Sequence, residues 1–407
     1  MIEIAVLGFG TVGSGVVELI DNNQEWIRRS VPEGIHVKYI LDIRDFPNSP
    51  YADRVVHSID VITEDPEVRI VCETMGGKEP AFTFSRKALE NGKSVCTSNK
   101  ELVEALGTEL MLTAKQNGMS YLFEASVGGG IPILRPLRNS LVQEEITVIG
   151  GILNGTTNYI LTKMEQEGAA FDDVLKIAQE KGYAERNPEA DVEGYDCGRK
   201  IAILASLATG KKADYDEIPC EGITKIAASD FAYAKAIGRA VKLLGIARKL
   251  GDGSWSVRTA PFLVPDDHPL YPVSGVFNAV FVHGTMVDDL MFYGRGAGKN
   301  PTASAVVSDV VELAMHIGVP LRSAWNEEKL TLADSDLESH RFYIRAAAEQ
   351  AEALEAAFGS GLEQIDLGGQ EEDALTGTTA FVTGEISERT FAERLGSIEV
   401  QNVIRLL

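Results

Sequence analysis

The hydrophobic pattern of the first 145 residues alternates between short apolar runs and longer amphipathic stretches. The apolar runs are rich in β-branched residues and have the length of buried parallel strands: 3–7, 37–41, 68–72 and 93–97. Helices are predicted between them, at 12–20 and 81–90. This alternation predicts an α/β fold with a Rossmann-type, doubly wound parallel sheet over residues 1–145.

The pattern changes near residue 146. Further elements follow in the order helix, helix, helix, strand, strand, helix: 156–167, 171–181, 196–208, 255–264, 276–282 and 302–317. They indicate an α+β domain over 146–322, whose last part, 302–322, could pack against the first domain. The polar stretch 326–339 is predicted to be a linker.

The C-terminal part, residues 340–407, has a separate pattern of predicted elements. Its pattern gives the order strand, helix, strand, strand, helix, strand: 341–346, 350–358, 362–367, 378–383, 388–395 and 400–407. That order is typical of a small ferredoxin-like module. The chain is therefore predicted to contain three domains.

Charge and cysteine content narrow the function class. Acidic residues outnumber basic ones by 60 to 38, for a net charge of −22, so neither nucleic acid nor an anionic membrane is an expected partner. The four cysteines form no C-x-x-C pair, which argues against a zinc or redox dithiol site. The sequence shows no secretion signal and no apolar span of about 18 residues. We therefore expect the protein to be located in the cytoplasm.

A glycine-rich loop follows the first predicted strand and opens a helix. It has the pattern G-x-G-x-x-G and consists of Gly8, Phe9, Gly10, Thr11, Val12 and Gly13. In such a loop the helix N-terminus offers free N–H groups and a partial positive charge to a pyrophosphate. The loop therefore predicts a site for NAD or NADP.

The end of the second strand bears on the choice between the two cofactors. Asp42 could accept a hydrogen bond from a ribose 2′-hydroxyl, which favours NAD, whereas Arg44 could pair with a 2′-phosphate, which favours NADP. Both could also be solvated loop charges. The sequence leaves these alternatives open.

Three other segments lie where ligands bind in an open α/β sheet or at a helix start. Thr97, Ser98 and Lys100 follow the fourth strand, and the glycine-rich segment 294–302 precedes a helix. The segment 123–132 contains three glycines and a proline, so its carbonyl groups could face an ion or could simply form a tight turn.

Carboxylates and a lysine concentrate between residues 182 and 200. Glu185, Asp191 and Asp196 are followed by Lys200, and the last two are four residues apart, on one face of a helix. Carboxylates suit a substrate ammonium group, and the lysine could transfer a proton to an oxygen that acquires charge. The alternative is an ordinary surface ion pair.

Taken together, these segments resemble the homoserine dehydrogenase family from residue 2 to about residue 320. The family signature places an alanine and a glycine before an N-P dipeptide and a D-[apolar]-x-G-x-D-x-x-x-K run. Here it stands as Ala178, Gly182, Tyr183, Ala184, Asn187, Pro188, Asp191, Val192, Gly194, Asp196 and Lys200.

The resemblance implies the roles of these residues. Lys200 would be the general acid that protonates the forming alkoxide, and Lys100 would be a second catalytic lysine. The expected substrate contacts are Gly182, Glu185, Asp191 and Asp196. The expected cofactor contacts are Gly8, Phe9, Gly10, Thr11, Val12, Gly13, Arg44, Thr97, Ser98, Lys100 and Gly298. Main-chain oxygens would bind a monovalent cation, usually sodium, at Glu124, Val127, Gly129 and Ile131.

The implied activity is a reversible, NAD- or NADP-dependent hydride transfer between L-homoserine and L-aspartate 4-semialdehyde, in threonine, methionine and isoleucine biosynthesis. The second domain would bind substrate and form a homodimer or homotetramer. Two rival functions stay open: a dehydrogenase for a related amino-acid aldehyde, and a catalytically silent sensor of dinucleotide and amino acid.

The C-terminal module resembles an ACT regulatory domain. The Asp-x-x-Gly turn usual after its first strand is absent, and the segment 348–351 stands there instead. Whether the module binds a regulatory amino acid or only supports oligomer formation is left open.

Overall fold

The computed structural model describes residues 1–367 and 377–407, which form two compact units. Unit 1 consists of Met1–Glu144, Ala202–Tyr215 and Gly294–Leu330. Unit 2 consists of Glu145–Ile201, Asp216–Tyr293 and Thr331–Leu407. Each unit is therefore assembled from separate stretches of the chain.

The β-strands are short in unit 1 and longer in the middle of unit 2. In chain order they are β1 (Ile2–Leu7), β2 (Ile35–Leu41), β3 (Val55–Val56), β4 (Val68–Glu73), β5 (Ser94–Thr97), β6 (Tyr121–Leu122), β7 (Ile146–Ile152), β8 (Arg239–Lys249), β9 (Trp255–Pro265), β10 (Phe277–Gly284), β11 (Asp288–Arg295), β12 (Ser339–His340), β13 (Phe342–Ala347), β14 (Leu362–Gln364), β15 (Thr378–Thr383), β16 (Ile386–Ser387) and β17 (Asn402–Leu406).

The α-helices range from one turn to almost five turns. They are α1 (Thr11–Asn22), α2 (Gln24–Ile27), α3 (Ile59–Thr63), α4 (Ala81–Glu90), α5 (Lys100–Gln116), α6 (Gly155–Glu167), α7 (Phe171–Glu180), α8 (Glu189–Val192), α9 (Tyr195–Thr209), α10 (Ala228–Ala236), α11 (Lys299–Met315), α12 (Ala351–Phe358) and α13 (Glu388–Leu395). Within residues 1–367 and 377–407, no helix combines the length and apolarity needed to cross a membrane.

Unit 1 is built on a parallel sheet with the strand order β3-β2-β1-β4-β5-β6. This is the order of a dinucleotide-binding Rossmann sheet, in which ligands bind beyond the carboxyl ends of the strands where the order reverses. The predicted doubly wound sheet is confirmed. Helix α11 packs on α1, where a Cβ placed on Gly15 would lie 3.0 Å from the Cβ of Ala303. The close approach of these helices explains the glycine.

Unit 2 is built on a mixed sheet with the order β11-β10-β7-β8-β9-β17-β13-β15-β14. Strands β7 to β10 pair antiparallel, and β17 joins β9 in parallel. The last four strands in that order are the C-terminal ones, and they carry α12 and α13 over an apolar core that includes Phe342, Phe381 and Phe391. The predicted order of elements in the C-terminal part is found, although strand β14 ends at Gln364.

The structure also differs from the predicted elements. Helix α5 and strands β7 and β8 were not predicted. Strand β7 contains the pair Gly150 and Gly151, and β8 is buried on both faces, so neither has the polar–apolar alternation of a half-buried strand. The stretch 326–339 is more than a linker, because Glu338 is buried and pairs with Arg258 on β9.

A buried carboxylate joins α10 to the C-terminal strands of unit 2. Asp230 is fully buried and accepts hydrogen bonds from Arg345 at 2.7 Å, Tyr343 at 2.9 Å and Asn402 at 2.9 Å. It also accepts one from the main-chain N–H of Ala227 at 2.8 Å. A buried charge with this many partners stabilises the fold only while all of them are present.

Removing this carboxylate should destabilise unit 2. We expect Asp230→Ala to lower the free energy of unfolding by about 3–5 kcal/mol, because Arg345 keeps a buried charge without its partner. Urea denaturation measures the change. Glu363→Ala is the control, since Glu363 pairs with Arg341 at the surface, and it should have little effect. Equal midpoints for the two variants would contradict the prediction.

Candidate active site

The loop from Gly8 to Gly13 joins β1 to α1 in a shape that only glycine allows at two positions. Gly8 has a φ of +90°, and a Cβ on Gly13 would lie 1.9 Å from the carbonyl oxygen of Gly8. A Cβ on Gly10 would have no described atom within 4 Å, and no side chain caps the helix that begins at Thr11. Open space before uncapped N–H groups fits a pyrophosphate.

Asp42 and Arg44 are paired with each other at the end of β2. The Asp42 carboxylate accepts from Arg44 Nε and Nη2, both at 3.0 Å, and from the main-chain N–H of Phe9 at 2.8 Å. The Arg44 guanidinium is the main cause of the low pKa of Asp42, about 2, and outweighs the opposing effect of burial. Asp42 is buried, whereas the Arg44 side chain is 59% exposed. The aspartate is thus engaged within the protein, and the arginine reaches solvent.

A buried glutamate that we did not predict lies at the end of β4. Glu73 accepts from Thr97 Oγ1 at 2.5 Å and from the main-chain N–H of Met75 at 2.7 Å. Burial raises the pKa of Glu73, although these hydrogen bonds oppose the shift. The Thr97 side chain therefore points to Glu73 within unit 1. A carboxylate ending an apolar run at the carboxyl edge of a parallel sheet was the available signal.

Lys100 is the first residue of helix α5, immediately after a capping residue. Asn99 caps the helix by accepting from the N–H of Leu102 at 3.1 Å, and its amide donates to the carbonyl of Gly77 at 2.5 Å. Ser98 precedes the cap and is half-buried. The strand end and the cap together fix the backbone that carries Lys100.

The segment 123–132 places main-chain oxygens in a buried turn. Val127, Gly129 and Ile131 are buried, and their main-chain oxygens accept no hydrogen bond within residues 1–367 and 377–407. Buried carbonyl oxygens without a donor fit a hard monovalent cation. The Glu124 carboxylate does not face this turn as a free ligand. It accepts hydrogen bonds from the main-chain N–H groups of residues 133–135.

Side chains alone supply no metal site in the described chain. Across its residues, His, Cys, Asp and Glu form no group of three that could hold a metal ion. In the second glycine-rich segment of unit 1, Gly298 immediately precedes α11 and has a φ of +113°.

In unit 2, Asp196 and Lys200 form a buried ion pair on α9. The Nζ atom of Lys200 lies 2.8 Å from Asp196 Oδ2 and 2.8 Å from the carbonyl oxygen of Leu153. Both side chains are at most 10% exposed, so this is not the surface ion pair that we considered as an alternative. The predicted common helix face is confirmed.

Asn154 connects this ion pair to a second carboxylate. Its Nδ2 atom lies 2.8 Å from Asp191 Oδ1 and 2.8 Å from Asp196 Oδ2. Its Oδ1 atom accepts from the N–H of Thr157 and caps α6. In sequence Thr156 and Thr157 are also candidate caps, but the capping side chain is that of Asn154. Because the cap engages the amide oxygen, the amide N–H groups must point to the carboxylates.

The loop that holds Gly182 and Glu185 lies against the start of α6. Thr156 Oγ1 donates to the carbonyl of Tyr183 at 2.7 Å, and the rings of Tyr183 and Tyr159 are 5.0 Å apart. Glu185 is exposed, and the Asn154 amide donates to Asp191 and Asp196 rather than to its carboxylate. The structure thus brings together Asp191, Asp196 and Lys200, with Asn154 added.

Comparison with known proteins gives one family throughout. The family model "Homoserine dehydrogenase" matches residues 132–311, and "Homoserine dehydrogenase, NAD binding domain" matches residues 8–124. The homoserine dehydrogenase of Bacillus subtilis is 38% identical over 422 residues, which cover 99% of this chain and 96% of that protein. That of Synechocystis is 46% identical over 319 residues, covering 77% of this chain and 73% of that protein.

Solved structures of homoserine dehydrogenases share this fold. A homoserine dehydrogenase from Thiobacillus denitrificans superposes with a TM-score of 0.86 at 33% identity, covering 100% of this chain and 98% of its own. A hyperthermophilic archaeal homoserine dehydrogenase in complex with NADPH has a TM-score of 0.66 at 28% identity, covering 77% of this chain and 98% of its own. This chain belongs to the homoserine dehydrogenase family of NAD(P)-dependent oxidoreductases.

Proposed function

We propose that this protein interconverts L-homoserine and L-aspartate 4-semialdehyde, and that Lys200 and its neighbours in unit 2 carry the substrate chemistry. The observation that supports this assignment is the buried Lys200 ammonium, 2.8 Å from Asp196 and 2.8 Å from the carbonyl of Leu153. The reaction belongs to threonine, methionine and isoleucine biosynthesis. A spectrophotometric assay of nicotinamide reduction with homoserine tests it, and inactivity would favour the silent sensor.

The acidic side chains suit the charged end of homoserine. Asp191 and Asp196 both accept from the amide of Asn154, which places the two carboxylates side by side for a substrate ammonium group. We assign the same role to Glu185, whose exposed carboxylate is available to a ligand, and a main-chain contact to Gly182. Two neighbouring carboxylates attract an ammonium group electrostatically.

Lys200 is assigned the proton transfer. Its ammonium group is oriented by Asp196 and by the carbonyl of Leu153 and can donate its remaining proton to the aldehyde oxygen as this oxygen gains charge. In the reverse direction the neutral amine accepts the hydroxyl proton. We assign Lys100, at the start of α5 in unit 1, a second catalytic role.

The glycine-rich loop of unit 1 is the proposed cofactor site, with Thr97, Ser98, Lys100 and Gly298 as further contacts. The dinucleotide supplies or accepts the hydride when it is bound. The loop provides uncapped N–H groups at the start of α1 and, at Gly10, open space for a phosphate.

We propose NADP as the preferred cofactor. The Asp42 carboxylate already accepts from Arg44 and from the N–H of Phe9, so it is a poor acceptor for a ribose hydroxyl. The same ion pair holds the Arg44 guanidinium at the surface, and such a group suits a 2′-phosphate. The homologue solved with NADPH is consistent with this preference.

Three further assignments complete the proposal. Sodium binds the main-chain oxygens of Glu124, Val127, Gly129 and Ile131. The C-terminal part is an ACT-like module, which the order β17-β13-β15-β14 and its two helices support. The enzyme works in the cytoplasm, consistent with four free cysteines, as a homodimer or homotetramer, and analytical ultracentrifugation tests the oligomer.

Replacing the proposed proton donor should strongly reduce turnover without weakening cofactor binding. We expect Lys200→Ala to lower kcat by about 10²–10⁴-fold, the usual contribution of a positioned acid or base, with an unchanged Kd for NADPH. Steady-state kinetics and nicotinamide fluorescence measure the two quantities. Lys211→Ala is a surface control because Lys211 pairs with exposed Glu328. Unchanged kcat for Lys200→Ala would remove Lys200 from the mechanism.

The proposed role of Arg44 predicts a change of cofactor preference. Arg44→Gln should raise KM for NADP by about 10–100-fold, as expected for the loss of charged hydrogen bonds to a phosphate, and should leave KM for NAD nearly unchanged. Arg86→Gln, which removes an exposed arginine of α4, is the control. An equal effect on both cofactors would contradict a contact with the 2′-phosphate.

The cation assignment predicts a dependence on sodium. Replacing sodium with tetramethylammonium at constant ionic strength should lower the thermal midpoint of the apoprotein by a few degrees, because a ligand that binds only the folded state stabilises it. Differential scanning calorimetry measures the midpoint. A midpoint that is the same in both salts would argue against a bound cation.

A further inference from the structure

An ion cluster links the C-terminal strand β17 to the middle of unit 2. Its members are Glu221, Arg258, Glu338, Glu388 and Arg405. Arg405 makes a two-bond contact with Glu388, at 2.5 and 3.0 Å, and another with Glu221, at 2.8 and 2.9 Å. Arg258 joins Glu388 to Glu338, at 2.9 Å each. Two arginines thus bridge three carboxylates.

Arg405 is buried but carries its charge. Its side chain is 10% exposed, whereas that of Glu221 is 45% exposed. Burial would lower the pKa of Arg405, but the hydrogen bond to Glu388 and the charge of Glu221 outweigh it, so the pKa is raised. Of its two partners, Glu388 is also held by Arg258, and Glu221 has no second basic partner among the described residues. The position of the Glu221 side chain therefore depends on Arg405.

The main chain at Glu221 lies directly against the segment 191–196, which we name the substrate turn. Ile223 N–H donates to the carbonyl of Val192 at 2.8 Å. A Cβ on Gly222 would lie 2.2 Å from the same carbonyl oxygen. Two backbones at this distance allow no side chain between them, so a displacement of 221–223 displaces the substrate turn.

The other side of this contact is fixed to strand β9. The N–H of Glu221 donates to the carbonyl of Thr259 at 2.8 Å, and a Cβ on Gly194 would lie 3.0 Å from the Thr259 side chain and 3.1 Å from the carbonyl oxygen of Glu221. The substrate turn is thus held between β9 and the segment 221–223. The segment 221–223 is tied to the C-terminal strand by the ion pair of Glu221 with Arg405.

We propose that Arg405 is a positioning residue for homoserine, which acts through Glu221 on the backbone that carries Asp191 and Asp196. The inference rests on the proposed substrate role of those two carboxylates. Strand β17 then contributes to substrate binding without touching the substrate. The chemistry of the proton transfer at Lys200 is unaffected.

The test is a comparison of Michaelis constants in the full-length enzyme. We expect Arg405→Gln to raise KM for homoserine by about tenfold, since small displacements of binding groups are costly, with KM for NADP changed less than twofold. Arg405→Lys keeps the charge but not the two-bond geometry and should give an intermediate KM. Arg389→Gln, which removes an exposed arginine on α13, is the control and should behave as wild type.

Glu221→Gln keeps the proposal testable if Arg405→Gln fails to fold. Glu221 is half-exposed, so its replacement should be tolerated, and it should raise KM for homoserine in the same way. The double variant should be no worse than the more severe single variant, because each single variant already breaks the contact between Arg405 and Glu221. Unchanged KM in folded Glu221→Gln and Arg405→Gln, or additive effects in the double variant, would overturn the inference.

A third variant separates this inference from the function on which it rests. Asp191→Asn should raise KM for homoserine directly. If it does and Arg405→Gln does not, the positioning role alone fails. If Asp191→Asn leaves KM unchanged, the assignment of the substrate turn fails first.

Discussion

The buried charge of Lys200 is the constraint on which the arrangement of unit 2 depends. An ammonium group can leave water only if charge and hydrogen bonds replace its hydration. Here Asp196 supplies the charge from one turn earlier on α9, and the carbonyl of Leu153 supplies an acceptor from the end of β7. The start of α9 must therefore meet the end of β7. Asn154, the next residue after Leu153, then lies where its amide can join Asp196 to Asp191.

Unit 2 contains three buried basic side chains, and each of them is paired with one or more carboxylates. Lys200 has Asp196, Arg345 has Asp230, and Arg405 has Glu388 and Glu221. The first pair lies within one helix, and Arg405 and Glu388 lie on the consecutive elements β17 and α13, whereas Asp230 and Glu221 are more than a hundred residues from their arginines. The chain can bury these charges because none of them is left alone, and each pair fixes the approach of two elements more tightly than apolar contacts would.

The features of the fold and of the site that depend on residues close in sequence could be predicted. The Gly8 to Gly13 loop, the alternating elements of unit 1 and the i, i+4 spacing of Asp196 and Lys200 all follow from neighbours in sequence. Asn154 as a helix cap was missed because two threonines beside it satisfy the same pattern. Glu73 was missed because it follows an apolar run directly, and a polar residue in that place is also typical of an ordinary strand end.

The remaining differences arise from contacts over long separations. The stretch 326–339 has the composition of a linker, yet Glu338 is buried because Arg258 on β9 requires a partner. Similarly, the sequence did not decide between NAD, which Asp42 favours, and NADP, which Arg44 favours, since either side chain could face a ligand. Their mutual ion pair, visible only in three dimensions, shows that one carboxylate is already engaged.

The position of strand β17 has a consequence for biosynthesis of the protein. Among the strands of its sheet it is synthesised last, yet it lies in the interior, between β9 and β13. During translation, therefore, β9 presents an open edge until residues 402–406 have left the ribosome. The growing chain must keep that edge from pairing with other nascent chains, and the sheet closes by a contact across more than a hundred residues, which is a slow step.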